Sequence, residues 1–236
     1  MLTLPSVDGR REVAVAIILT VASSKGGAGK TTVAQAIASS LAGECRVTVI
    51  DADPSRGLAR WAQNIREGSG AMTVHSEADH EALAHLIPDA AEGCDLLLID
   101  TAGFGNLAAN VAMTASDAVL VPTKSSEIDV TETERTVRQV RGIAKAARRD
   151  IQVRVVLNSV KRRTDLWRHA AEELARSEMP VLQTSLSDLV AYGEVSFSGR
   201  MPAPSSTAGA EIAALVQELR GIGWLPQANR PPLLDV

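Results

Sequence analysis

Two lysines and a threonine stand close together in Lys25-Gly26-Gly27-Ala28-Gly29-Lys30-Thr31-Thr32. Residues of these types at this spacing suit phosphate chemistry. Small residues leave backbone N–H groups free to turn inward around an anion, and a helix opening behind them adds the positive end of its dipole. Gly26, Gly27, Ala28, Gly29 and Thr32 would line such a cradle. Lys30 would reach the β- and γ-phosphates of a nucleotide, and the Thr31 hydroxyl would ligate Mg²⁺. Lys25 is the unusual member. A second cation so near Lys30 is repelled unless a polyanion lies between them, and the plain alternative is a solvated lysine at the loop mouth.

Carboxylates that could complete the site close apolar runs. Leu96-Leu97-Leu98-Ile99 ends in Asp100, a Walker-B arrangement in which Asp100 would hold Mg²⁺ through its water shell, opposite Thr31. Val47-Thr48-Val49-Ile50 ends in Asp51-Ala52-Asp53-Pro54. A carboxylate near a terminal phosphate can orient water without being a strong base, because phosphoryl transfer depends on positioning and charge compensation. Turn or cap formation competes as an account of these aspartates. Val153 to Leu157 ends in Asn158, whose amide either pairs with an adenine edge or closes an Asx-turn.

These residues must be positioned by strands and helices. Ala14–Val21 is a β-branched apolar run and reads as a buried parallel strand, while Val33, Ile37 and Leu41 recur at helical spacing. Strand, glycine loop and helix are the context a phosphate loop requires. The alternation continues with strands at Arg46–Ile50, Met72–His75, Asp95–Ile99, Ala118–Pro122, Ile151–Leu157 and Val181–Ser185. Helices are predicted near 30–42, 57–67, 79–91, 107–115, 129–148, 165–178 and Ala208–Leu219. The expected fold is α/β, a doubly wound, mostly parallel sheet flanked by helices, as in P-loop NTPases. Residues 1–12 are expected to be a flexible extension, 13–225 one P-loop domain and 226–236 a proline-rich tail.

Aromatics make up only 3 % of the chain, so the core must be built from Ala, Val, Leu and Ile. The net charge of −4 excludes a global attraction to nucleic acid, and any such contact needs a local basic patch. Cys45 and Cys94 lack C-x-x-C partners and are expected to be buried thiols in a reducing cytoplasm. The four histidines lack metal-ligand spacing. No apolar run reaches the ~18 residues of a membrane span.

The loop departs from G-x-x-x-x-G-K-[ST] at its first glycine, which is Ser24, and in carrying Lys25. In this it resembles the deviant Walker A loop of the ParA/MinD family of ATPases. The acidic strand ends, Val121-Pro122-Thr123 and the closing segment Glu211–Leu215 extend the resemblance from about Ala14 to Leu219, nearest to small ParA proteins of the ParF and VirC type. The resemblance implies ATP and Mg²⁺ as cofactors and slow hydrolysis stimulated by a ParB-like or cargo-adaptor partner. It implies a homodimer formed on ATP, with Lys25 of each subunit on the other's nucleotide. Lys25, Lys30 and Asp53 would be catalytic, with Asp53 orienting the attacking water. Asp51 would join Thr31 and Asp100 around the metal, and Asn158 would meet the adenine. Nonspecific DNA binding, a cytoplasmic, nucleoid-associated location and the segregation or positioning of a plasmid, chromosome or other cargo follow from the same resemblance. The alternative is a VirC-like adaptor in conjugative DNA transfer. A membrane-bound MinD type would need a C-terminal amphipathic helix, which three prolines between Trp224 and Val236 disfavour.

Two basic clusters could track DNA phosphates. Lys161, Arg162, Arg163 and Arg168 follow the sixth strand, and Arg138, Arg141, Lys145, Arg148 and Arg149 share one side of the helix at 129–148. A solvated helix face is the competing account of the second cluster. Neither is interleaved with aromatics, so base stacking is not expected.

Overall fold

The structure is a computed structural model that describes residues 15–64, 72–103, 105–198 and 201–228. Its strands are β1 (Ile17–Val21), β2 (Val47–Ala52), β3 (Met72–Ser76), β4 (Leu96–Thr101), β5 (Ala118–Thr123), β6 (Gln152–Val160) and β7 (Val181–Ser187). Its helices are α1 (Lys30–Leu41), α2 (Gly57–Asn64), α3 (His80–Glu92), α4 (Leu107–Ala115), α5 (Glu127–Ala147), α6 (Asp165–Arg176), α7 (Val190–Ser198) and α8 (Thr207–Gly221). The sheet runs β3-β2-β4-β1-β5-β6-β7, and every pairing is parallel. The expected doubly wound sheet is therefore present, and it is all-parallel among the described residues.

Continuous apolar strands make this sheet. β2, β4 and β5 are buried at every position, as strands covered on both faces must be. One face carries α1, α2, α7 and α8 around Leu19, Val33, Ile37, Trp61, Leu98 and Leu215. The other carries α3 to α6 around Ile50, Leu97, Ile99, Val119, Val137 and Leu174. Cys94 is buried in the second layer, whereas Cys45 is only half-buried and packs against the first. The expectation of two buried thiols is thus corrected for Cys45.

Register sets the site. Val21 of β1 and Asp51 of β2 both pair with Asp100 of β4, so three strand tips end level at one edge. Neighbouring strands lie about 4.8 Å apart, which brings the loop after β1 and both carboxylates into one small volume. The chain leaves central β1 for β2 on one side and later crosses over β1 from β4 to β5 on the other. The edge between them is the switch point at which open α/β sheets bind ligands.

Two helices differ from expectation in ways that matter for the site. α5 begins at Glu127, capped by the Ser126 side chain on the Asp129 N–H, and so takes Asp129 into its first turn. α7 is not expected from its sequence: Val-Ala-Tyr-Gly-Glu-Val-Ser mixes β-branched residues and glycine, with no clear helical period. Packing supplies what propensity lacks, because Tyr192 and Val195 are buried in the α1–α8 layer. The end of the predicted 57–67 helix, residues 1–12 and most of the 226–236 tail lie outside the described residues.

Candidate functional site

The loop after β1 turns sharply enough to need glycine. Gly27 and Gly29 have φ of 76° and 93°, in the left-handed region that side chains disfavour. Gly29 is also the N-terminal cap of α1, and a Cβ there would lie 1.9 Å from the Asn158 amide nitrogen. Asn158 is buried and donates to the Ala28 carbonyl at 2.8 Å. Its amide is therefore a strut that fixes the loop, a role outside both of its sequence readings. It still lines a cavity of about 550 Å³ with Gly27, Gly29, Thr32, Lys124, Ser159, Ser187, Asp188 and Tyr192.

The leading edge of the loop is fastened to α5. The Ser24 hydroxyl donates to the Glu132 carboxylate at 2.7 Å, and its N–H donates to the Thr136 hydroxyl at 3.1 Å. Lys25 Nζ meets Asp129 at 2.5 Å. Asp129, Glu132 and Thr136 fall at i, i+3 and i+7 on one side of α5. That spacing is readable in the sequence, but nothing local connects it to residues more than a hundred positions earlier. Burial would raise the Asp129 carboxyl; hydrogen bonds from Lys25 and Ser126 outweigh it and hold the group below its ordinary value.

Lys30 is buried and donates to the Lys25 carbonyl at 3.3 Å. Burial lowers its pKa, against the opposing pull of the Asp100 and Asp53 carboxylates. Thr31 donates to Asp100 Oδ2 at 2.7 Å, while Asp100 Oδ1 is buried without a hydrogen-bond partner among the described residues. Burial is the main force raising Asp100 to about 7, with the Thr31 hydrogen bond opposing it and Asp51 adding to it.

A buried orphan carboxylate oxygen beside a threonine hydroxyl is what a hard cation would satisfy. Among the described residues no cluster of three or more His, Cys, Asp or Glu side chains could hold a metal alone. A Mg²⁺ here would therefore take other ligands from phosphate and water, as it commonly does.

Asp51 is fully buried, and its two oxygens accept the Asp53 and Ala59 N–H groups at 3.1 and 2.8 Å. Burial raises its pKa, opposed by those backbone donors. It ties the acidic loop to the start of α2. Asp53 is half-buried and accepts the Ser55 N–H at 2.8 Å.

The basic clusters are divided by their neighbours. Arg162 donates to the Ser185 carbonyl at 2.7 Å and the Ser187 hydroxyl at 3.1 Å, and it pairs with buried Glu211 at 3.1 Å. Arg168 pairs with Asp165, and Arg149 with Asp117 and the Thr114 carbonyl. Lys161 and Arg163 are exposed and form no ion pair among the described residues, and the same holds for Arg138, Arg141, Lys145 and Arg148 of the α5 stripe.

A glycine loop between a central parallel strand and a helix, with a Walker-B aspartate bonded to the loop threonine, defines a P-loop NTPase, and the lysine ahead of the glycines makes it one of the ParA/MinD type. Residues 16–212 match the family described as VirC1 protein, and the chain belongs to that family. It is 26 % identical over 209 residues to maintenance of carboxysome distribution protein A of Halothiobacillus neapolitanus, covering 86 % of this chain and 96 % of the relative. It is 28 % identical over 193 residues to protein virC1 of Rhizobium rhizogenes, covering 78 % of this chain and 82 % of the relative. The fold is similar to that of the Cyanothece McdA(D38A)–ATP complex, with a TM-score of 0.75 and 16 % identity, over 92 % of this chain and all of that one. No described helix is long and apolar enough to cross a membrane.

Proposed function

We propose that this chain is a ParA-type ATPase in which bound ATP joins two copies face to face, the dimer holds DNA without sequence preference, and a partner protein stimulates hydrolysis to release it. Segregation or positioning of a cargo on the nucleoid is the resulting work. The observation that carries this reading is Lys25 resting on Asp129. A loop with one nucleotide needs one lysine, and Lys30 already fills that place. Lys25 is instead kept 36 % exposed at the rim against a carboxylate only 5 % exposed. When a polyanion approaches from a second copy, Lys25 can leave, because Ser126 continues to donate to Asp129. The γ-phosphate thereby acts as the contact that favours association.

Within one subunit, Lys30 and the loop N–H groups would compensate phosphate charge, and Thr31 and Asp100 would hold Mg²⁺. The ion supplies Lewis-acid stabilisation of the transferring phosphoryl group. Asp53 would orient the attacking water, and Asp51 keeps Asp53 in place by pinning the loop between β2 and α2. Asn158 secures the floor of the cavity that would take the adenine.

The test is light scattering with and without Mg²⁺-ATP. The wild type should shift from monomer to dimer, while Lys25→Ala should bind ATP and remain monomeric. Normal dimers of Lys25→Ala would remove the trans role. The VirC1 family match favours a second reading, an adaptor in conjugative DNA transfer. Deleting the gene and counting both plasmid loss and transfer frequency separates the two: without a partition protein plasmid loss rises, and without an adaptor transfer falls.

A further inference from the structure

Among the described residues β7 ends the sheet, with β6 on one side of it and no strand on the other. Its residues, Val-Leu-Gln-Thr-Ser-Leu-Ser, include no charge and no proline. Such an edge is a template on which another chain can add a strand, unless something blunts it. Part of the blunting lies in the register. Val155 pairs with Val181 and Leu157 with Ser185, so a short step along β6 matches a longer one along β7, and β7 bulges between them.

The rest comes from α8. Its carboxylates are Glu211 and Glu218, which lie on one side of the helix, about 10 Å apart along its axis. Both end on the backbone of β7. Glu218 accepts the Gln183 N–H on one oxygen at 2.7 Å and the Thr184 N–H on the other at 2.8 Å. Glu211 accepts the Ser187 N–H at 2.8 Å and the Ser187 hydroxyl at 2.6 Å. Helix and strand therefore run in opposite directions. Gln183 and Ser187 stand roughly 13 Å apart in an extended strand, a span that the two glutamates match within a side chain's reach. Arg162, from the loop after β6, donates to the Ser185 carbonyl at 2.7 Å. From Gln183 to Ser187, side chains thus hold three backbone N–H groups and one carbonyl. Bonds of this charge-assisted kind are stronger than those between neutral groups. A groove of about 940 Å³ separates α8 from β7, lined by Thr184, Ser185, Ala210 and Ala214 among others. The alanines leave room between helix and strand, and the two glutamates span it.

We infer that Glu218 and Glu211 form a clasp that closes this edge of the sheet to strand addition by a second copy of the chain. A second copy brings the same uncharged β7, and two such edges can pair antiparallel across a two-fold axis. With the clasp shut, the donors that such pairing needs are already bound. The inference stands apart from the nucleotide reading, because Glu218, Gln183 and Thr184 lie outside the cavity beside the phosphate loop.

Hydrogen–deuterium exchange and sedimentation of the full chain without nucleotide, over a range of concentrations, test this. Glu218→Gln keeps one acceptor oxygen and Glu218→Ala keeps none. Exchange at Gln183 and Thr184 should speed up by ~3-fold in the first variant and by ~10-fold or more in the second. Self-association should rise with concentration above that of the wild type, weakly in Glu218→Gln and strongly in Glu218→Ala. The glutamine variant keeps the test open if the alanine variant does not fold. Adding Gln183→Lys to Glu218→Ala places a charge on the exposed edge. It should abolish the association while exchange stays fast, which separates strand addition from unfolding. Fast exchange with wild-type sedimentation at every concentration overturns the clasp, as does association that Gln183→Lys leaves unchanged. Wild-type exchange in both variants overturns it too, because the two glutamate bonds would then not hold the edge.

Discussion

Two loops at the same edge of the sheet carry clustered cations, and the structure treats them in opposite ways. After β1, the buried lysine is the one proposed to meet a ligand: Lys30 is buried within reach of the Asp100 and Asp53 charges, and desolvation lowers its pKa. Its neighbour Lys25 waits at the rim on Asp129. After β6, the committed cation is structural, since Arg162 is taken up by Glu211 and two β7 groups, and the exposed Lys161 and Arg163 are left for solvent or a polyanion. Charge type does not separate these roles. The number and burial of the acceptors that neighbouring helices bring to each cation does.

Substitutions that break this contrast should show it in graded fashion. The largest effect is expected for Lys30→Ala, which should weaken nucleotide binding by ~100-fold or more in calorimetry, as removal of a buried charged partner of phosphate does. Asp53→Ala comes next and should bind ATP, dimerise and accumulate in that state, with turnover in a phosphate-release assay reduced ~100-fold. Rapid turnover would remove Asp53 from the mechanism.

Acidity should act on the carboxylate that faces the first of these loops. Asp100 sits at about 7 against an ordinary 3.8, so the native state binds more protons than the unfolded chain across that interval. Stability without ligand should therefore fall as pH rises through it, by at most ~1.4 kcal/mol per pH unit, followed by thermal melting. Above it, Asp100 is ionised and Mg²⁺-nucleotide affinity should be higher than at pH 6. Asp100→Asn should flatten both profiles.

The smallest effects should come from the loop after β6. Lys161→Glu with Arg163→Glu should weaken retention of duplex DNA and reduce its salt slope by ~0.9 for each phosphate no longer neutralised, with nucleotide affinity unchanged. Arg162→Glu is expected to disturb the cavity as well, because it opposes Glu211. If only Arg162 affected DNA and its two neighbours did not, the division between structural and available cations would fail.

Legibility followed sequence distance. The phosphate loop, both acidic strand ends and most elements could be read because each is a local pattern: glycines where φ must be positive, apolar runs where strands are covered on both faces. Helix α7 could not, since Gly193 and the β-branched residues around it favour no helix until Tyr192 and Val195 are buried. The strut from Asn158 to Ala28 spans 130 positions, and neither end signals the other. The Ser24–Glu132 and Arg162–Glu211 contacts are of the same kind. The sequence holds no record of what packs against their polar residues.

By itself, the sequence determined a mostly parallel scaffold of largely apolar strands, a glycine loop shaped for phosphate and carboxylates at strand ends, because backbone sterics and hydrophobic periodicity act over a few residues. The tertiary structure alone decided which cations are stored, committed or left open. Ion pairs and buried hydrogen bonds depend on groups brought together by register and helix packing, and in a dry interior those neighbours set a charge's protonation and availability.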